Sequence, residues 1–374
     1  MKISRTGAIA GVVSVAALMV LTACGGSAEG GVDGDKVTLR FTSAYGPGSF
    51  FGDSQERWMK EVEELSDGTI EFKRFWQGSL VGAADALPGI SQGRADIGFI
   101  GQAYYPVELP LTNVSYLPQF DTDVAAIVNA YDETYKSSDL FQAEWEKQNV
   151  VPLAWNPVVP MGLGSKEPIE SPNDFKGMTI RSSGLQTLGY EKFGAGTAAI
   201  ASQETYEALQ RGVVDAWGGL TIDGTAAMGY PEVASNLLAF PEFYTATGSP
   251  IGINADKWEQ LSEAQKDAMT EASADYHEYS IEMAMDYEAK GCQKYLDSGG
   301  KVTQFSDAER AQLMSAVEGP MEDSWMISAE KAGLSKDGID SFVSEFDAVY
   351  QEIKADSPYT DGFVACLETQ EAGS

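Results

Sequence analysis

Apolar and polar positions alternate over Val37-Thr38-Leu39-Arg40-Phe41-Thr42, the pattern of a half-buried first strand. A helix follows from Ser49 to about Leu65, with Trp58, Val62 and Leu65 on one face. Asp67-Gly68 marks a turn, and Thr69 to Lys73 reads as the next strand. A short helix over Ala83–Ser91 stops at Gly93, before a strand over Ala95–Ile100. Residues 101–119 have no period. Helices are predicted over Asp121–Tyr135 and Leu140–Gln148, then a strand over Val150–Trp155.

The same alternation of strand and helix returns further on. Met178-Thr179-Ile180 is a short strand ending at Arg181, and a helix runs from about Leu185 to Phe193. Thr197–Ile200, Val213–Trp217 and Leu237–Phe240 read as strands, with a helix over Gln203–Gln210 between the first two and a short one over Asp223–Met228. Thr245–Ile253 is extended. The last third is helical. Ser262-Glu263-Ala264-Gln265 is a capping-box pattern, and the helix it opens meets no proline and only Gly291 before about Leu296. Ser306 caps another helix, and a last one covers about Asp340–Ile353.

One joint occurs twice. Ser91-Gln-Gly-Arg-Ala-Asp-Ile-Gly98 resembles Gln210-Arg-Gly-Val-Val-Asp-Ala-Trp217: a helix end, a glycine, and a strand entered through aspartate. Two similar α/β units facing each other across a gap would produce this echo, with the strand ends near Phe99 and Trp217 on either side of a cleft. Helix–glycine–strand joints are common enough to be the competing explanation.

The N-terminus changes the picture of where the protein works. Lys2 and Arg5 precede an apolar run, Ala8–Leu21, too short to span a bilayer as a helix. Leu21-Thr-Ala-Cys24 resembles a bacterial lipobox, so residues 1–23 are expected to be a signal peptide and Cys24 the lipidated residue. The glycine-rich residues 24–35 read as a flexible tether. About 350 residues remain, enough for two lobes. The net charge of −31 argues against nucleic-acid binding and would repel anions at long range, so an anion site must be locally positive. Cys292 and Cys366 are the remaining cysteines, an even number that in an exported protein predicts a disulfide.

Enzyme templates fit poorly. The one histidine, His277, lies in the long helix and is expected to be a partly exposed helix residue. Zinc sites rich in histidine, a nucleophile elbow and a phosphate-binding loop are all missing, and neither cofactor nor metal is expected. Binding chemistry fits better. Arg181 stands where a strand ends and a helix begins, a place where backbone N–H groups attract anions, and its planar fork matches a carboxylate. The other reading of Arg181 is a structural ion pair. Aromatic residues fall in loops after strands: Phe50, Phe51, Trp76, Tyr104, Tyr105, Trp155 and Trp217. Two to four of them are expected to touch a ligand, and the others to pack.

Ser171-Pro-Asn-Asp-Phe-Lys-Gly-Met-Thr-Ile-Arg-Ser182 and Glu204-Thr-Tyr-Glu-Ala-Leu-Gln-Arg-Gly-Val-Val-Asp215, with Gly78-Ser-Leu-Val-Gly82 and the joint at 91–98, resemble the DctP-type substrate-binding proteins of TRAP transporters. The resemblance covers about Val37 to Ile353. It implies an α/β, two-lobe fold like the type II periplasmic binding proteins, with a long helix spanning both lobes. Residues 36–154 would form lobe 1, 155–246 lobe 2, and 247–374 a return strand, the spanning helix and C-terminal helices. It also implies closure on a small organic acid and delivery to integral-membrane TRAP subunits, by a monomer anchored at the outer face of the cell membrane. Arg181 falls on the arginine that pairs with the substrate carboxylate, with Ser182 beside it. Where the family often has asparagine, this chain reads Trp217-Gly218-Gly219; the added room at Gly219 and a flat wall at Trp217 favour a bulkier monocarboxylate, aromatic acids included. An ABC-type solute-binding lipoprotein and a lipid-anchored enzyme are the rival readings.

Overall fold

The computed structural model describes residues 35–182, 186–200 and 202–373. The expected signal peptide, the lipidation site Cys24 and nearly all of the tether lie outside the described residues. Ten strands form one mixed sheet: β1 (Val37–Thr42), β2 (Ile70–Phe75), β3 (Ile97–Phe99), β4 (Val150–Ser165), β5 (Thr179–Arg181), β6 (Gly196–Ala198), β7 (Ala216–Thr221), β8 (Asn236–Ala239), β9 (Thr245–Asn254) and β10 (Val302–Gln304). The main order is β2-β1-β3-β9-β4-β7-β5-β6, with β8 on β4 and β10 on β8.

That order contains the same device twice. β1 lies between β2 and β3, all parallel; β5 lies between β6 and β7, all parallel. Each trio is a βαβαβ unit, the arrangement in which helices cover the faces of short apolar strands. The echoed joint is the same in detail. Gly93 and Gly212 both end a helix at φ +72°, which a side chain resists. The aspartate then reaches back to the central strand: Asp96 Oδ2 accepts the N–H of Arg40, and Asp215 Oδ2 accepts the N–H of Thr179, both at 2.8 Å. In each case the aspartate N–H donates to the carbonyl of the same partner residue.

Two long antiparallel strands join the units. β4 pairs with β9 over its first two thirds, and its last residues, 161–165, pair with β7 and β8. The sequence predicts a strand only to Trp155, because Pro157 and Pro160 lack the N–H a ladder uses. The structure carries the strand through them with register shifts at Pro152/Ala154 and Val158/Met161.

The helix Glu263–Asp297 has 35 residues, roughly 50 Å at helical rise, and touches both units. Near its start Trp58 donates to Ser273 and Ser54 meets Tyr276; near its end Tyr295 donates to Thr225. Gly291 permits this docking: a Cβ there would stand 3.0 Å from the backbone of Asp223. Cys292 and Cys366 are bonded, tying the long helix to the C-terminal helix Gly362–Ala372, which the sequence did not reveal.

His277 differs from expectation. It is buried, not partly exposed, and its Nε2 accepts the N–H of Trp155 at 3.1 Å, while Nδ1 lies 3.9 Å from Asp132. Accepting at Nε2 requires the neutral ring. Burial lowers its pKa, the Asp132 charge opposing this in part. Because the folded pKa is depressed, this contribution to stability is full above the unfolded value near 6.5 and declines as pH falls toward the folded value. Stability measured by urea unfolding is therefore expected to fall between pH 7 and 5, and His277→Gln to flatten that decline. A decline unchanged in the variant would assign it to other groups. Replacing Cys292 and Cys366 together by alanine should cost about 4 kcal/mol in the chain-entropy account of a closed loop this long, read as a lower unfolding midpoint.

Candidate functional site

Strand β5 ends at Arg181 in the middle of the second parallel trio, so strands flank it on both sides. The side chain is 6% exposed. Its Nε donates to the carbonyl of Ile200, beyond β6, at 2.8 Å, and Nη1 to the carbonyl of Gly218, on β7, at 3.0 Å. These two neutral acceptors fix the plane of the fork. Among the described residues no carboxylate forms an ion pair with it. Burial lowers its pKa, and the hydroxyls of Tyr230, Tyr104 and Tyr190 act in the opposite direction. A buried guanidinium is normally matched by an anion, because taking the charge out of water costs several kcal/mol. Ser182 is buried beside it; its N–H donates to Ala198 and its hydroxyl accepts from Thr187.

The Trp217-Gly218-Gly219 run takes a different form from the one expected. Trp217 is fully buried, flat against Gly164 and among Tyr230, Tyr295 and Phe363, so it is part of the second unit's core and offers no wall to a ligand. Gly218 is lined by the ring of Tyr190, whose hydroxyl would be 2.6 Å from a Cβ, so the room there is already taken. Gly219 is half-buried at φ +67°, a backbone conformation that favours glycine.

The other predicted aromatics divide. Trp155, on β4, is buried in the first unit's core, stacked on Tyr131 and Phe141. Phe50 is buried against Phe51 and Tyr287, and Trp76 packs on Phe41. Tyr105 is buried with its hydroxyl accepting the N–H of Leu87. All four are occupied by packing. Tyr104 is 58% exposed, and Phe51 lies under Tyr45 with ring centroids 4.5 Å apart.

Tyr45 is the residue the sequence reading passed over. It follows β1, as Tyr104 follows β3, so the rule that selected aromatics after strands applies to it equally. Its ring meets Phe51 and Phe99. Tyr45 is 39% exposed, yet loss of water around its hydroxyl raises its pKa to about 12, with Tyr104 and Asp223 adding to the effect. Tyr104 thus stands within electrostatic reach of both Arg181 and Tyr45. Tyr45 and Tyr104 follow β1 and β3 in the first trio, and Arg181 ends β5 in the second. Among the described residues no group of three or more histidine, cysteine, aspartate or glutamate side chains could hold a metal ion, and no helix is long and apolar enough to cross a membrane.

Two α/β units of parallel strands, joined by two long antiparallel strands, define a two-lobed fold. Residues 41–325 match the model of the DctP family, described as bacterial extracellular solute-binding protein family 7. The chain belongs to this family of extracytoplasmic receptors of TRAP transporters, which are not enzymes. Relatives include the ectoine-binding periplasmic protein TeaA of Halomonas elongata, 24% identical, with 78% of this chain and 84% of the relative covered. A monocarboxylate 2-oxoacid-binding periplasmic protein of Nostoc is 25% identical over 82% of this chain and 80% of its own. Among solved structures, a marine metagenome TRAP solute-binding protein specific for aromatic acid ligands has a TM-score of 0.74 at 22% identity, covering 85% of this chain and 99% of that one. A TRAP solute-binding protein of Chromohalobacter salexigens with bound D-glucuronate has a TM-score of 0.69 at 20% identity, covering 83% and 99%.

Proposed function

We propose that the junction between the two units binds a small organic acid whose carboxylate is held by Arg181, and that the protein delivers this acid to the integral-membrane subunits of a TRAP transporter. The observation that carries the reading is the guanidinium itself. It is buried, oriented by two backbone carbonyls, and has no carboxylate partner among the described residues. A ligand carboxylate would supply the missing charge and accept from the N–H groups that remain. The lobes would be 36–154 and 155–246, with 247–374 returning through β9 and the spanning helix. Cys24 would carry the lipid that holds the receptor, as a monomer, at the outer face of the cell membrane.

The ligand class we infer is a bulky monocarboxylate, aromatic acids foremost. Support comes from Tyr45, Phe51, Phe99 and Tyr104, which gather ring surface opposite the cation, and not from Trp217 or Gly219. The aromatic-acid ligands and the monocarboxylate named for two of the similar proteins agree with it.

Isothermal calorimetry over a panel of acids tests both parts. Arg181→Ala should weaken every ligand by roughly 30- to several-thousand-fold, the 2–5 kcal/mol expected for removing one side of a buried charged pair. Unchanged affinity in that variant would remove Arg181 from the site. For the ligand class, aromatic monocarboxylates should bind more tightly than succinate or malate; tight succinate or malate binding with no response to larger acids would overturn it.

A further inference from the structure

Asp223 is a half-buried acid that the carboxylate reading leaves without a role. It is the second residue of the helix Ile222–Ala227, which leaves β7 directly, four residues after Gly219. Its place is held closely, because the long helix lies against its backbone at Gly291. One side-chain oxygen, Oδ1, is shut away from water and has no hydrogen-bond partner. Burial raises the carboxyl's pKa, and the Thr221 hydroxyl with the N–H groups of Gly224 and Asp223 itself pulls it back. The helix start therefore accounts for part of the acceptor capacity and not for Oδ1.

The ionisable groups close to Asp223 are Tyr45, Tyr287, Glu288 and Tyr295, and its charge raises the pKa of each. None is a cation. Three are already engaged: Tyr287 donates to Asp53, Tyr295 to Thr225, and Glu288 accepts from Tyr359. Tyr45 is the one that belongs to the aromatic wall. It stands within electrostatic reach of Tyr104, and Tyr104 of Arg181. Among the described residues Arg181 forms no ion pair with Asp223 or any other carboxylate, so acid and cation do not neutralise each other. β7 runs parallel beside β5 with Trp217 opposite Arg181, so Asp223, just past the end of β7, lies at the same carboxyl-terminal edge of the second trio, which thus carries a fixed donor and a fixed acceptor. A dry acceptor without a partner is uncommon in folded proteins and is costly to keep.

We propose that Asp223 sets the specificity of the far end of the site, so that the ligand is an acid carrying a hydrogen-bond donor, a hydroxyl or an ammonium group, at the end away from its carboxylate. This rests on the reading of Arg181 as the carboxylate anchor. A plain apolar acid would leave Oδ1 unmatched, whereas a donor-bearing acid satisfies both ends at once. Specificity built on a buried polar group is steep, because the analogue that lacks the partner strands it.

The test is calorimetry with phenylacetate, its 3- and 4-hydroxy derivatives and 4-(aminomethyl)phenylacetate. The native protein should bind at least one donor-bearing acid about 10-fold or more tightly than phenylacetate, as expected for a hydrogen bond to a charged group. The readout in each variant is the ratio of donor-bearing to plain affinity. In Asp223→Ala that ratio should collapse toward one. Asp223→Asn keeps an oxygen for the helix start and should at least abolish the advantage of the aminomethyl acid, which covers the case in which the alanine variant does not fold. Equal binding of plain and donor-bearing acids by the native protein, or a preference that survives in both variants, overturns the proposal. Binding that depends on Arg181 but shows no donor preference defeats this inference alone; acids that bind equally well to Arg181→Ala, or no binding at all, defeat the anchor reading and this one with it.

Discussion

A guanidinium taken out of water with only neutral carbonyls for company is the constraint around which the second unit is arranged. Its two acceptors come from different strands: Ile200 lies just beyond β6, and Gly218 is on β7. Both must be in register with β5 for the fork to be held, so the site's geometry is a property of the parallel trio and not of a loop. The close fit of Tyr190 on Gly218 has the same origin, since a side chain at 218 would push the ring away from the carbonyl that Arg181 uses. Desolvation works against the cation throughout. The fold tolerates that cost at a position where an anion from outside can offset it.

The charge of the whole protein sharpens this. At −31 the chain repels small anions at distance, so capture depends on what an acid meets at close range. Burial strengthens the local field for the same reason that it raises the cost of keeping the cation, because both scale inversely with the effective dielectric. A receptor of this composition selects its ligand by contact and gains little from steering.

The parts of the fold that were legible in the sequence are those carried by local chemistry. Gly93 and Gly212 needed left-handed backbone, and Asp96 and Asp215 needed a backbone N–H to accept, so the echo between the two joints was written in residues three positions apart. The capping box at Ser262 and the absence of breakers up to Gly291 marked the long helix. Other features depended on partners far along the chain. β4 passes through Pro157 and Pro160 because β9 accommodates shifted register, and the short β10 exists only as an addition to β8. His277 could be read as a surface residue until the N–H of Trp155, 122 positions away, was found to need it. The helix Gly362–Ala372 has no amphipathic period of its own; it is fixed by the bond to Cys292 and by Phe363 lying against Gly162.

The candidate site divides along the same line. Arg181 could be singled out from its place at a strand end, and the structure adds that it is buried without a carboxylate partner among the described residues. The aromatics were not, because a ring after a strand is equally suited to a core, and burial was decided by neighbours. Trp155 found Tyr131 and Phe141; Trp217 found Gly164, whose missing side chain makes the slot it fills. Glycine thus acted against the simple volume argument: at Gly164 and Gly218 the room it left was claimed by the protein's own tryptophan and tyrosine. The rings that stay exposed, Tyr45 and Tyr104, follow β1 and β3 of the first trio, while Arg181 ends the central strand of the second. Each unit therefore contributes one kind of group, rings from one and charge from the other. On the proposed reading, a ligand that engaged both would gain from the two halves only when they are held together, which would link binding to their approach.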